Sequence, residues 1–248
     1  MMLKAAWKWE NPVYMSGPAK TKERDYDCMR KIFNWVQTHK YCLAGTYFFV
    51  FLLCFYLLEV YGPKPRYIIR CMADDWIPFN EWFVIPYFLW YMWVPVFLVY
   101  FMVRDKAAYL QLCFIMSVGV TVSLLVYLVL PNGLDLRQEI MGTNPCAALV
   151  RVLREIDPPH HVCPSIHVSS TVAVHLVIGR ALSLAGRRGI RRLSLAVTLL
   201  ICVSTMFIKQ HSLVDVVCGC LLSLALGWLY DVIRGGETGN RVAFTDML

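Results

Sequence analysis

Six long apolar runs dominate this chain, at approximately 41–61, 82–103, 107–130, 165–184, 193–208 and 212–233. Most are near the length, roughly 20 residues, that an α-helix needs to cross a hydrocarbon core about 30 Å thick. In hydrocarbon the backbone N–H and C=O groups must be satisfied inside the spanning element, which makes helices the expected form of these runs. Composition agrees: 58% of the 248 residues are hydrophobic and 17% are charged, where a soluble domain carries roughly 25% charged residues. The expected fold is all-α, a polytopic membrane protein forming one six-transmembrane-helix bundle over 1–248. Within it, 1–40 is a cytoplasmic N-terminal segment, 131–233 holds the elements that carry chemistry, and 234–248 is a cytoplasmic tail. The second run is rich in Trp, Tyr and Pro and the fifth is short, so a tilt, a kink or an interfacial position is expected first at these two.

The formal net charge of +7 would suggest nucleic acid in a soluble protein. Here the basic residues collect between apolar runs, where membrane topology accounts for them, and no nucleic-acid partner is expected. Placing the N-terminus inside puts seventeen of the 24 Lys and Arg residues on cytoplasmic segments. Eight lie in 1–40, followed by Arg104 and Lys106, then Arg180, Arg187, Arg188, Arg191 and Arg192, and finally Arg234 and Arg241. Lys64, Arg66, Arg70, Arg137, Arg151, Arg154 and Lys209 fall on the other side. Because cytoplasmic loops retain positive charge, both termini are expected in the cytoplasm, with 131–164 and 209–215 together on the non-cytoplasmic face, of the plasma membrane by expectation. The first forty residues lack the apolar core and small-residue cleavage site of a signal peptide, so the N-terminus is expected to be retained.

Of ten cysteines, Cys42, Cys54, Cys113, Cys202, Cys218 and Cys220 lie inside apolar runs, where a thiol packs as a small hydrophobe. No C-x-x-C spacing suggests a thiolate metal site. The aromatic residues of 76–101 read as an interfacial belt and a helix-packing surface.

Polar residues of interest gather at two run boundaries. Cys163-Pro164-Ser165-Ile166-His167 opens the fourth run, and Lys209-Gln210-His211-Ser212-Leu213-Val214-Asp215 opens the sixth. Asp215 lies four residues beyond His211, a spacing that stacks both side chains on one helix face, and a carboxylate inside an apolar run needs a partner. A carboxylate bound to one imidazole nitrogen leaves the other free and basic, able to attack phosphorus directly. His167 on a neighbouring helix would supply a proton to the leaving oxygen. Arg137, Lys209, Ser165 and the first N–H groups of the fourth helix are candidates for holding the phosphate oxygens.

The strings P-S-I-H (164–167) and S-T-M-F-I-K-Q-H-S-L-V-D (204–215) resemble the type 2 phosphatidic acid phosphatase superfamily, whose motifs are P-S-G-H and S-R-x5-H-x3-D, with an earlier K-x6-R-P element. The resemblance implies a six-helix membrane core in which His211 is the nucleophile that becomes phosphorylated, Asp215 orients it, and His167 is the general acid. It implies no metal and no cofactor. The family arginine is replaced by Thr205 and the glycine by Ile166; around Arg137, Gln138 stands for the proline and Leu130 for the lysine. These departures are similar to a divergent branch containing lipid phosphotransferases of the sphingomyelin-synthase and inositol-phosphorylceramide-synthase type. The resemblance thus implies a lipid phosphate or polyprenyl diphosphate substrate, with water as acceptor in a phosphatase or a lipid hydroxyl in a head-group phosphotransferase. A non-catalytic lipid binder or transporter remains the alternative of another class. A metal site from His160, His161, Asp157 and His167, and a disulfide between Cys146 and Cys163, are lesser alternatives. The sequence leaves the oligomeric state open.

Overall fold

The computed structural model describes residue 30 and residues 34–238, with side chains described as far as 235. The expected retained N-terminus lies outside the described residues, as do Arg241 and the tail beyond 238. The chain divides into two compact units, residues 1–43 and residues 44–248. In the first, residues 34–38 are helical and the Trp35 and His39 rings stack at 4.4 Å.

The second unit is built from helices α1 (Tyr47–Tyr61), α2 (Val84–Arg104), α3 (Lys106–Val129), α4 (Pro145–Ile156), α5 (Ile166–Arg180), α6 (Arg188–Phe207) and α7 (Leu213–Thr238), with a single helical turn at Ala73–Trp76. Among the described residues, five helical segments are long and apolar enough to cross a membrane: Lys40–Tyr61, Glu81–Arg104, Lys106–Val129, Arg188–Phe207 and Leu213–Gly235. Their ends lie close to five of the six apolar runs. The second run is one continuous helix despite Pro95 in its interior.

The fourth run, expected over 165–184, forms only the 15-residue α5. At 1.5 Å per residue this is about 22 Å, short of the ~30 Å core. It is nonetheless the most enclosed helix, packed against α2, α3, α6 and α7, with ten of its residues from Val168 to Ile178 buried. Small and hydroxylated side chains account for this: Ser169, Ser170, Thr171 and Ala173 let neighbouring backbones approach closely. Gly219 on α7 shows the limit, since a Cβ there would lie 2.8 Å from the Ser165 carbonyl oxygen and 3.1 Å from Val168 Cβ. Val168, Val172, Leu176, Cys202 and Val216 fill the space among α5, α6 and α7.

Three connecting segments meet at one end of this bundle. A two-residue parallel pairing joins β1 (Tyr67–Ile68) to β2 (Asn132–Gly133), and Asn80 N–H donates to the Phe207 carbonyl at 3.0 Å. Asn132 ties the same end together: its Oδ1 accepts from the N–H groups of Val162 and Cys163, and its Nδ2 donates to the carbonyls of Leu130 and Cys163. At the opposite end Ser183 N–H donates to Asp105 Oδ2, and Arg180 pairs with Asp231 at 2.8 Å.

Candidate active site

Both histidines sit where a helix begins, at the end where the three connecting segments meet. Pro164 cannot continue a helix backward, and Ser165 starts α5 as its N-cap, its Oγ accepting from Val168 N–H at 3.3 Å. Tyr127 Oη donates to the Pro164 carbonyl at 2.6 Å and holds this start against α3. His167 therefore stands in the first turn of α5.

His211 lies in the five-residue connection between α6 and α7, which closes α6 and opens α7 in two standard ways. Lys209 adopts a left-handed backbone, φ 60°. Gln210 N–H donates to the Thr205 carbonyl and Lys209 N–H to that of Met206, the double bond that terminates a helix; glycine usually occupies this place, and a side-chain-bearing residue stores strain there. Ser212 then caps α7: its Oγ accepts from Val214 N–H at 3.1 Å, while Asp215 Oδ2 accepts from Ser212 N–H at 2.8 Å. This resembles a capping box, with the N–H of Val214 rather than that of Asp215 bonded to the serine. A third group reinforces it from far along the chain, because Asp74 Oδ1 accepts from Leu213 N–H and Asp74 Oδ2 from Ser212 Oγ.

The His167 and His211 rings have centroids 5.7 Å apart. His211 is buried and His167 partly buried. His211 Nδ1 lies 3.5 Å from Asp215 Oδ2, an ion-pair distance too long for a hydrogen bond. His211 Nδ1 and Asp215 Oδ1 are both buried with no hydrogen-bond partner among the described residues. Asp215 is wholly buried; its Oδ2 both accepts from the cap and lies nearest the imidazole, and its Oδ1 is the oxygen left without a partner. The two helix starts touch directly, through Ser165 N–H donating to the Asp215 carbonyl at 3.2 Å.

The cation candidates are tied to the same end. Arg137 donates through Nη2 to the Asp157 carbonyl at 2.6 Å and to Gln210 Oε1, and its Nε is buried with no partner among the described residues. Burial pushes the guanidinium below its ordinary value, with Asp157 pulling the other way. Lys209 Nζ, also buried, donates to the carbonyls of Asp74 and Ile77. Burial pushes the ammonium down while Asp74 and Asp75 resist. Burial alone would raise the Asp74 carboxyl, but bonds from Leu213, Cys71 and Ser212 outweigh it and hold the group below the usual carboxylate range. Arg137 and Lys209 line one polar cavity of about 240 Å³, with Asp74 and with Arg70, Asp75 and Asp135 at its exposed rim. Ser165, in contrast, is fully buried and occupied as a cap.

Three of the four residues of the metal alternative, His161, His167 and Asp157, are engaged with other side chains. His161 pairs with Glu59 at 2.8 Å, Asp157 approaches Tyr87 and Gln210, and among the described residues no cluster of three His, Cys, Asp or Glu could hold a metal ion. Cys146 and Cys163 are both free thiols, so the disulfide alternative does not form.

Residues missed from sequence surround His167. From α2, Tyr87 Oη lies 2.9 Å from His167 Nε2, and the rings of Trp90 and Tyr91 stand 4.3 and 6.5 Å from the imidazole. Positions 87, 90 and 91 share one helix face, and that spacing was the available signal inside a run read as belt and packing surface. Asp74 and Asn132 sit in connecting segments without periodicity and gave none.

Compared with known proteins, the chain matches no family model, none of the curated proteins and no solved structure.

Proposed function

We propose that the chain is an integral membrane enzyme, similar in chemistry to the type 2 phosphatidic acid phosphatases, that removes the phosphate of a lipid phosphate or polyprenyl diphosphate through a phosphohistidine on His211. The observation that carries this reading is the pair of imidazoles 5.7 Å apart at two helix starts, with the buried Asp215 carboxylate 3.5 Å from the second. Polar groups buried in such positions are costly, and this arrangement gives each one a task.

His211 Nε2 attacks phosphorus while Asp215 stabilises the charge that builds on Nδ1; the N–P bond forms as the P–O bond to the lipid breaks. His167 delivers its proton to the departing lipid oxygen. In the second step neutral His167 takes a proton from water, the new oxygen attacks phosphorus, and the N–P bond breaks. Arg137 and Lys209, which line the polar cavity, together with the N–H groups of the first turn of α5, hold the phosphoryl oxygens. No metal or cofactor is assigned a part.

In this reading α5, fourth in chain order, completes the six spans and is recessed so that its start lies below the membrane surface. Both termini are cytoplasmic, and the end bearing His167 and His211 faces the non-cytoplasmic side of the plasma membrane. Hydropathy and the alternation of the two bundle ends support that assignment. One observation favours a second reading, phosphotransfer to a lipid hydroxyl: the wall of Tyr87, Trp90 and Tyr91 beside His167 keeps water from one side of the site.

The test is to incubate purified protein with a lipid phosphate labelled at phosphorus, with and without diacylglycerol or ceramide. Acid-labile, alkali-stable label is expected on the wild type and absent from His211→Ala. Free phosphate marks hydrolysis and labelled new lipid marks transfer. A wild type that binds the lipid yet acquires no label and releases no product would establish the non-catalytic binder instead.

A further inference from the structure

The tyrosine beside His167 has a second neighbour. Tyr87 Oη sits 2.9 Å from His167 Nε2 and 3.4 Å from Asp157 Oδ2, so one hydroxyl joins an imidazole on α5 to a carboxylate in the α4–α5 connection. Tyr87 is wholly buried and its ring packs against the imidazole at 4.8 Å. Asp157 is in turn held: its backbone carbonyl accepts from Arg137 Nη2, and Gln210 Nε2 approaches its Oδ2 at 3.5 Å. The titratable or charged groups facing this chain are Tyr91 on α2, His211 in the α6–α7 connection, Arg137 beyond Asp157, and Glu59 on α1, whose charge acts on Asp157.

We propose that Tyr87 is a positioning residue for His167, linking its Nε2 to Asp157 and leaving Nδ1 as the nitrogen that exchanges protons with substrate. The inference rests on the phosphohistidine reading above. A phenol has one proton. Directed at Asp157 Oδ2, it leaves the Tyr87 oxygen to accept from Nε2–H. The direction of this chain is the same in both protonation states of His167. In the first step the imidazolium gives its Nδ1 proton to the departing lipid oxygen and keeps Nε2–H on Tyr87. In the second step the same Nδ1 accepts the proton of the acceptor hydroxyl. The phenol keeps its own proton throughout; it fixes the tautomer and ring orientation, as a carboxylate does for the histidine of a hydrolytic triad. Asp157 supplies the negative end that favours the imidazolium through an intervening neutral group.

The experiment compares full-length wild type, Tyr87→Phe, Asp157→Asn and the double variant in detergent, on a lipid phosphate and on an aryl phosphate whose leaving group needs no proton. Tyr87→Phe keeps the ring and is expected to slow kcat on the lipid phosphate by about 30-fold, within the usual range for general acid–base assistance. On the aryl phosphate it should slow phosphorylation by less than about threefold, because the proton transfer it supports is dispensable there. KM should stay within about twofold, and the limb of the pH–rate profile that reports His167 should move toward lower pH. Asp157→Asn should show the same substrate split, smaller, and the double variant should be no slower than Tyr87→Phe, since both changes act through one chain. Should Tyr87→Phe not fold, the split in Asp157→Asn decides the matter. Equal slowing on both substrates reduces Tyr87 to packing and overturns the inference, as does a Tyr87→Phe enzyme indistinguishable from wild type while wild type turns over. A wild type that neither turns over nor labels overturns the phosphohistidine reading and this inference with it.

Discussion

The starts of α5 and α7 solve the same local problem in different ways. Each helix opens with a serine N-cap, each has a histidine within two residues of that cap, after it at α5 and before it at α7, and the two starts touch through Ser165 N–H and the Asp215 carbonyl. At α5 the cap is one side chain and one turn, as the string Pro-Ser-Ile-His suggests. At α7 the cap is layered: Ser212 and Asp215 form a box-like pair, Asp74 adds two bonds from more than a hundred residues away, and Lys209 anchors its Nζ on the same 74–77 turn. A helix start leaves four N–H groups without intrahelical partners. The α7 start meets this demand for the N–H groups of Ser212, Leu213 and Val214, and one of the three acceptors, Asp74, comes from far along the chain and ties down the connection that carries His211. His167 is instead steadied by packing and by α2.

Asp215→Asn gives the largest expected effect, and it separates the two duties of that carboxylate. An asparagine Oδ1 can still accept from Ser212 N–H, so this capping bond survives and stability should change by less than about 1 kcal/mol. The charge opposite His211 Nδ1 is lost. Turnover is expected to fall about a thousandfold, equivalent to about 4 kcal/mol of barrier. A variant with normal melting and near-normal rate would make Asp215 a cap and nothing more.

Asp74→Ala comes next and acts on structure first. Its carboxylate accepts from Cys71 N–H, Ser212 Oγ and Leu213 N–H, and truncation leaves buried donors without partners at roughly 1–3 kcal/mol for each one not rescued by water. A loss of about 3 kcal/mol in stability is expected, read as a shifted unfolding midpoint, with activity falling in the fraction that stays folded because His211 loses its anchor. Full stability in Asp74→Ala would place the hold on α7 entirely within the local box.

This contrast also marks what could be read from sequence. The apolar runs at 41–61, 82–103, 107–130, 193–208 and 212–233 correspond to five long helices because hydropathy is a local property. The run at 165–184 was legible as an apolar helix but neither as short nor as the enclosed one, since hydrophobicity continues beyond its end at Ala181. His167, His211 and Asp215 were legible from spacing, and the structure brings them together. The same spacing concealed that Asp215 closes a box-like cap, because Ser-x-x-Asp and His-x-x-x-Asp share one carboxylate. Lys209 was legible as a cation close to the histidines, but its burial and its carbonyl partners at Asp74 and Ile77 come from contacts across more than 130 residues. Tyr87 and Asp157 were not linked to His167 through one another, since the face shared by positions 87, 90 and 91 does not point to a partner 70 residues away.

The smallest effect is expected from Ser165→Ala, and it bears on whether Ser165 holds phosphate or only a helix. Ser165 Oγ accepts from Val168 N–H at 3.3 Å and is fully buried, which fits the second role. Loss of an N-cap serine costs about 1 kcal/mol, and α5 retains other supports: Tyr127 on the Pro164 carbonyl, Asn132 on Val162 and Cys163, and close packing against Gly219. The α5 start should therefore tolerate losing its cap better than the α7 start tolerates losing Asp74, with an unfolding midpoint only slightly lowered and KM within about twofold of wild type, since no phosphate contact worth the 1.4 kcal/mol of a tenfold change is removed. A tenfold rise in KM at unchanged stability would reverse the assignment. Ser165 would then turn its hydroxyl toward the phosphoryl oxygens when substrate is bound, and α5 would rely for its cap on Asn132 and the packing around Pro164.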